Sequence, residues 1–341
     1  MGDIEIKKVA TVACVAENVG VANATELNTI VTKENRVTKI RTVNQCIKEA
    51  KELPSIQPLF GSLWQSNEVS ILVGDTGVGK SILAVNIADA ISKRVPITEV
   101  FPVSQGSNRI LYYDFELSDK QFEKRFSSET YSEYFYRVVV DPESIGKRFG
   151  YSEIKADIEQ TGANYIIIDN ISALSIKTTA DADSAIDVMK QLIRLKNEFG
   201  LSILVLAHVP KIPSGMPLEI NNLAGSKALS NFADSVFFVA RSKEGKSCRY
   251  LKQVKSRNAE QLEGIAVFNI VTKDGGLVYE FTGFDNEKNH LALVEGALSK
   301  KDQYFSEIQK LRSEGHTMDA IARIIGVDKA TISRWLKQGS A

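Results

Sequence analysis

Residues 69–85 read VSILVGDTGVGKSILAV. An apolar, β-branched run passes into a glycine-rich loop, and the loop into apolar residues at helical spacing. Read as strand, loop and helix, the segment matches G-x-x-x-x-G-K-[ST], with Gly74, Gly79, Lys80 and Ser81 at the fixed places. The glycines let the backbone N–H groups of Asp75, Thr76, Gly77, Val78, Gly79, Lys80 and Ser81 converge, and the helix N-terminus adds partial positive charge. Such a loop holds phosphates. Lys80 is placed to reach the β- and γ-phosphates and the Ser81 hydroxyl to ligate a metal ion, so the expected cofactors are ATP and Mg²⁺.

A loop of this kind needs a sheet to stand on, and the chain supplies the strands. Short β-branched runs recur at VSILV, ILYYDF, YRVVV, YIIID, LSILVLA, SVFFVA, YLKQV, AVFNIV and LVYEF. Helical patterns such as SILAVNIADAIS and AIDVMKQLIRLKNEFG lie between the earlier ones. Alternating strands and helices predict βαβ units and a mostly parallel sheet. The later strands are joined by the tight turns KEGK and KDGG, which predict an antiparallel edge. The expected organisation is a polar N-terminal segment over 1–53, an α/β nucleotide-binding domain over 54–285, a linker over 286–298 and an all-helical domain over 299–341. In the first segment Ile40, Val43, Cys46 and Ile47 recur at helical spacing, and Pro54 ends the pattern.

A phosphate grip needs a partner for its metal. YIIIDN reads as a buried strand ending in Asp169, the expected second anchor of the Mg²⁺ shell. The next residue is Asn170, so a water-activating acid must come from elsewhere. ILYYDFELS offers Glu116 at a strand's C-terminal end, the edge where α/β sheets assemble sites. Glu116 is therefore the expected general base, with Asp114 a weaker candidate. A helix-capping role for Glu116 is the competing explanation.

The order phosphate loop, DFELS, IIIDN, LAHVPK, LAGSKALS, KSRN resembles the RecA-type ATPases, above all the RepA-like branch found in plasmid and mobile-element replication proteins. The resemblance covers roughly residues 56–283. It implies a RecA-like core, water activation by Glu116, γ-phosphate sensing by His208, and a mobile loop over 209–223 that faces nucleic acid. Lys255 and Arg257 stand two apart on a strand, so both side chains share a face. In the family such a basic pair reaches a neighbour's nucleotide as an arginine finger does, so self-association, hexameric by resemblance, is expected. Two solvated bases guarding a sheet edge is the other reading.

At the tail, TMDAIARIIGVDKATISRWLKQG reads as a helix-turn-helix. Thr317 and Asp328 are expected caps, Gly326 the left-handed turn, and Ile321, Ile324 and Ile325 one apolar face against Ile332, Trp335 and Leu336. The second helix then presents Lys329, Ala330, Ser333, Arg334 and Lys337, a basic, hydroxyl-bearing face suited to DNA. Residues 297–341 hold eight Lys and Arg against five Asp and Glu, a modest excess for phosphate neutralisation.

Composition closes off some classes. Three well-separated cysteines, Cys14, Cys46 and Cys248, predict neither a disulfide framework nor a zinc site, and three histidines leave little for a His-built cluster. No apolar run approaches the roughly 18 residues of a membrane span, so a cytoplasmic protein is expected. Lys plus Arg equals Asp plus Glu at 42 each, so whole-chain charge selects no partner. Three functions remain open. They are a DNA-binding ATPase acting in replication or mobilisation of DNA, with helicase activity as its sharpest form; an ATP-gated, sequence-specific DNA-binding regulator; and a small-molecule kinase. The last is disfavoured, because 209–223 carries one base, Lys211, and no Arg to clamp a second phosphate.

Overall fold

The computed structural model describes residues 40–338 apart from 128–129, 142, 145–148, 172–181, 209–214, 223–226, 293–303, 305–306, 309–310 and 313. The chain divides into two compact units, residues 1–55 and 56–341. The described part of the smaller unit holds helix α1, Val43–Lys51. Thr42 caps it in a capping box with Gln45, and none of its residues is buried.

The larger unit opens with two short strands, β1 (Pro58–Phe60) and β2 (Trp64–Gln65), which pair with each other. Strands this short carry no period, which is why the sequence pattern passes over them. The nine expected strands all form. They are β3 (Val69–Gly74), β4 (Ile110–Asp114), β5 (Phe135–Val139), β6 (Tyr165–Asp169), β7 (Ser202–His208), β8 (Ser235–Arg241), β9 (Cys248–Ser256), β10 (Ile265–Lys273) and β11 (Gly276–Asp285). They make one sheet in the order β11-β10-β9-β8-β3-β7-β6-β4-β5. From β8 to β5 every pairing is parallel, and β9, β10 and β11 add an antiparallel edge.

β3, β4 and β6 are buried along their whole length, as expected of strands covered on both faces. Alternate residues serve two cores. Ile71 and Val73 pack with Ile154 and Ile158 of α4 (Tyr151–Thr161) and with Met189 and Leu192 of α5 (Ala182–Phe199). Leu72 faces the other way, onto Leu83, Ala84, Ile87 and Ile91 of α2 (Lys80–Lys93). Two further helices, α3 (Asp119–Phe126) and α6 (Lys227–Phe232), complete this part. The result is a RecA-like α/β core with helices on both faces of a mostly parallel sheet.

Near the C-terminus, α7 (Met318–Ile325) and α8 (Lys329–Gln338) are joined by a turn in which Gly326 has φ +70°. Thr317 caps α7, accepting from the Ala320 N–H, and Asp328 accepts from the Thr331 N–H at 2.9 Å. Ile308, Ile321, Ile325 and Ile332 form a separate small core. Ile324 does not join it. It is 53% exposed, because at 100° per residue it falls on the far side of Ile321 from Ile325. Truncating the fully buried Ile332 to Ala should cost about 2–4 kcal/mol in this small core. Amide exchange should show lost protection in α7 and α8, and unchanged protection in β3, β6 and β7.

Candidate functional site

The site assembles because adjacent parallel strands end level. Gly74 pairs with His208 across β3 and β7, and Asp114 with Asp169 across β4 and β6. The carboxyl ends of four neighbouring strands thus bring the phosphate loop, His208, Asp169 and the DFEL turn to one edge, where open α/β sheets bind ligands.

In the loop itself, Gly77 has φ +66° and Gly79 φ +110°, conformations that suit glycine. A Cβ on Gly79 would lie 2.7 Å from the Tyr279 hydroxyl, and one on Gly74 would lie 2.8 Å from the Val239 carbonyl oxygen. Val78 is buried in the core and anchors the loop from below. The Asp75 carboxylate accepts from the Thr76 N–H at 2.7 Å, while Thr76 is exposed. Lys80 is 5% exposed. Its Nζ donates to the carbonyls of Gly74 at 2.8 Å and Asp75 at 3.0 Å, and lies 3.1 Å from His208 Nδ1. Burial pulls its pKa down, opposed by the charges of Asp169, Glu116 and Asp75.

Asp169 is 3% exposed and hydrogen-bonded to Ser81 and, at 2.7 Å, to the Tyr112 hydroxyl. Burial pushes its carboxyl up to about 6, against the pull of those two hydrogen bonds. A buried carboxylate beside a serine hydroxyl at a helix N-terminus is the donor set that Mg²⁺ takes in nucleotide sites. Ser81 and Asp169 therefore fit the ion, and Gly74–Ser81 fit the phosphates.

Glu116 does not cap the following helix; Ser118 does, in a capping box with Gln121. The Glu116 side chain is instead half-exposed and turned to the site. It accepts from Asn170 Nδ2 and lies 3.7 Å from His208 Nε2. The hydrogen bond to His208, the His208 charge, the Asn170 bond and Lys80 together hold its carboxyl below the usual range, against partial burial. His208 bridges Lys80 on one ring nitrogen and Asn170 on the other, at 3.1 and 3.3 Å. Asp114 is taken up structurally. It accepts from the Glu116 and Leu117 N–H groups at 3.0 and 2.9 Å and pairs with Arg137 at 2.9 Å. It thereby shapes the turn that aims Glu116, and it is not free to act as a base.

Lys255 and Arg257 are not brought to this edge. Lys255 is level with Val236 and Val236 with Ile71, so at about 3.3 Å per residue the pair stands roughly 10–17 Å behind the phosphate loop. Lys255 Nζ donates to Ser230 O at 2.5 Å and Arg257 Nη2 to Asn231 O at 2.7 Å. Of the segment 209–223, residues 209–214, with Lys211, and 223 lie outside the described residues. On α8, Lys329, Ala330 and Arg334 are exposed and Ser333 is half-buried. Lys329 pairs with Asp319 at 2.8 Å, and the Lys337 side chain lies outside the described set.

Three residues escaped the sequence reading. Arg241 donates to Gly77 O and Arg249 to Val78 O, both at 2.7 Å, and the Tyr279 hydroxyl donates to Gly79 O at 3.2 Å. β8 and the antiparallel edge beside it thus hold the carbonyls of the loop from one side. Each charge-assisted bond contributes on the order of 1.5–3 kcal/mol. No local motif marks these residues, since they come from three strands, β8, β9 and β11, far along the chain from the loop.

A family model described as an AAA domain matches residues 35–213, more than half of the 341-residue chain. The chain belongs to this AAA-domain family. The match takes in the phosphate loop, Glu116, Asp169, Asn170 and His208, and stops before the antiparallel edge. With the observed sheet order, it makes this AAA-domain protein a RecA-type P-loop ATPase, a family that uses a nucleotide and Mg²⁺. No curated protein matches the sequence. Among solved structures the chain is similar to a KaiC-like protein of the hyperthermophilic archaeon Pyrococcus horikoshii, at 15% identity and a TM-score of 0.46. That similarity covers 63% of this chain and 90% of the other. No described helix is long and apolar enough to cross a membrane.

This ATPase site makes two outcomes testable. Because the folded pKa of Asp169 is raised, the magnesium-free fold binds the extra proton between pH 4 and 6 and carries the full cost of the charge above pH 6. Asp169→Asn should therefore stabilise the magnesium-free protein by on the order of 1–3 kcal/mol at pH 7.5, with no difference at pH 4, as read by denaturant titration. Glu116→Gln should keep ATP affinity within about threefold while slowing turnover by roughly 10²-fold or more. Separate binding and steady-state assays check the two parts.

Proposed function

We propose that this chain is a Mg²⁺-dependent, DNA-binding ATPase of the RepA-like branch, working as a self-assembled, six-membered ring in replication or mobilisation of DNA. In this reading Lys80 and the loop amides hold the triphosphate, and bound Mg²⁺ neutralises charge on its oxygens through Ser81 and Asp169. Glu116 is the base. Asn170 occupies its Oε1, which leaves Oε2 to take the proton of the attacking water. His208, touching both Lys80 and Asn170, links the phosphate end of the site to the base.

The observation that carries the DNA part is the outward face of α8. Lys329 and Arg334 are exposed beside Ala330 and Ser333, and α8 is backed by Ile332, fully buried in its own small core. We read α7 and α8 as a helix-turn-helix whose second helix enters the major groove. The Lys329–Asp319 pair is exposed and contributes about 1 kcal/mol or less, so a phosphate can compete for Lys329. Assembly is supported by where the basic pair stands. Arg257 cannot reach its own loop, so a finger role requires a neighbouring copy's nucleotide.

Deleting residues 299–341 should cut duplex affinity at least tenfold while ATP still binds. Unchanged duplex affinity in an electrophoretic or anisotropy assay would remove the helix-turn-helix reading. Turnover that ignores DNA, with duplex binding intact, would favour the ATP-gated regulator instead. Arg257→Ala should lose turnover with nucleotide affinity nearly kept, and mixing it with the Lys80→Ala protein should restore part of the activity. A mixture as inactive as its components would count against action between subunits.

A further inference from the structure

Where β8 turns into the antiparallel edge, three side chains of metal-ligating type meet, His290 standing 46 and 42 residues beyond Glu244 and Cys248. Glu244 stands on the turn between β8 and β9, Cys248 begins β9, and His290 follows β11. One ligand atom from each lies within 4.8 Å of the others. Cys248 and His290 are buried, and Glu244 is exposed. We propose that these three residues form a binding site for a thiophilic divalent cation of the Zn²⁺ class, separate from the Mg²⁺ site at the phosphate loop.

The orientation of His290 carries the assignment as much as the proximity does. Its Nε2 lies 3.0 Å from the Asp285 carboxylate, which accepts the ring N–H and leaves the Nδ1 lone pair facing the cluster. A carboxylate behind the distal nitrogen is the arrangement that orients metal-bound histidines. Nδ1 is 2.7 Å from the Ser242 hydroxyl and 3.7 Å from Glu244 Oε2. The imidazole is 1% exposed, whereas the Glu244 side chain is 53% exposed and free to move. Tetrahedral zinc bonds of about 2.0–2.3 Å space their donors some 3.3–3.8 Å apart. Glu244 Oε2 already stands at that spacing from Nδ1, and bringing all three donors to it takes a closure of up to about 1 Å, with Ser242 turning its hydroxyl away from Nδ1. Three protein donors leave the fourth position to Ser242 or a water.

Donor chemistry selects the ion. A thiolate and an imidazole favour Zn²⁺ over the oxygen-seeking Mg²⁺ and Ca²⁺. Binding takes the proton from the Cys248 thiol, so affinity rises with pH. The site would staple the β8–β9 turn to the chain leaving β11. β8 and β9 are the strands whose Arg241 and Arg249 hold the loop carbonyls. Ser242 and His290 also line a cavity of about 260 Å³ that reaches Gly74, Asp75 and Val78.

Cobalt tests this directly, because a thiolate bound to Co²⁺ gives a near-ultraviolet charge-transfer band and an oxygen-bound ion does not. The full-length protein, freed of metal by a chelator and then titrated with Co²⁺, should give the band at one equivalent. Zn²⁺ should abolish it, and excess Mg²⁺ should leave it. Cys248→Ala should lose the band, and Asp285→Asn should weaken cobalt affinity about 10–100-fold. Glu244→Gln sits on an exposed turn and decides the matter if Cys248→Ala does not fold; it should weaken cobalt affinity at least tenfold. Absence of the band in the wild-type protein, a band that survives Cys248→Ala, or unchanged affinity in Glu244→Gln would each overturn the proposal. None of these readouts depends on ATP turnover.

Discussion

Lys80 and Asp169 are an ammonium and a carboxylate buried at the carboxyl ends of one parallel sheet, and the rest of the molecule is arranged around that cost. Neither charge is tolerable alone in such a place. Lys80 is satisfied by two loop carbonyls, and Asp169 by the hydroxyls of Tyr112 and Ser81. The carboxyl of Asp169 is nonetheless pushed up to about 6. A divalent cation and a triphosphate relieve both groups at once, so the site is poised toward binding them.

The antiparallel edge, with the end of β8 that leads into it, has a second task beyond ending the sheet. Arg241, Arg249 and Tyr279 take the carbonyls of Gly77, Val78 and Gly79, which holds the loop from one side. The same device recurs at the DFEL turn, where Asp114 and Arg137 fix the backbone and the Glu116 side chain faces the site. At both places a polar network buried behind the site sets the geometry of the groups in front of it.

Much of the site was legible in the residue order. The phosphate loop declares itself because its chemistry needs glycines, a lysine and a hydroxyl at fixed spacing on a strand–helix turn. Asp169 was legible as the polar end of an apolar run, and His208 through the resemblance to the RecA-type ATPases. Glu116 was preferred to Asp114 as the base, but the residue order did not show what holds Asp114 at the end of β4. Arg137, 23 residues on and one strand over, is what occupies Asp114. Ile324 was assigned to the small core by its apolarity, and helix geometry turned it outward.

The sequence by itself determined the α/β architecture, the parallel core with its antiparallel edge, and the identity of the phosphate-holding loop. Those follow from local periodicity and from residue types that few backbones accept. Only the tertiary structure decided which carboxylate faces the site, that Asn170 and His208 contact it, and that Arg241 and Arg249 brace the loop. It alone placed Lys255 and Arg257 behind their own site. The reason is physical: strand register and the folding-back of an edge set distances between residues far apart in the chain, and no local pattern encodes them.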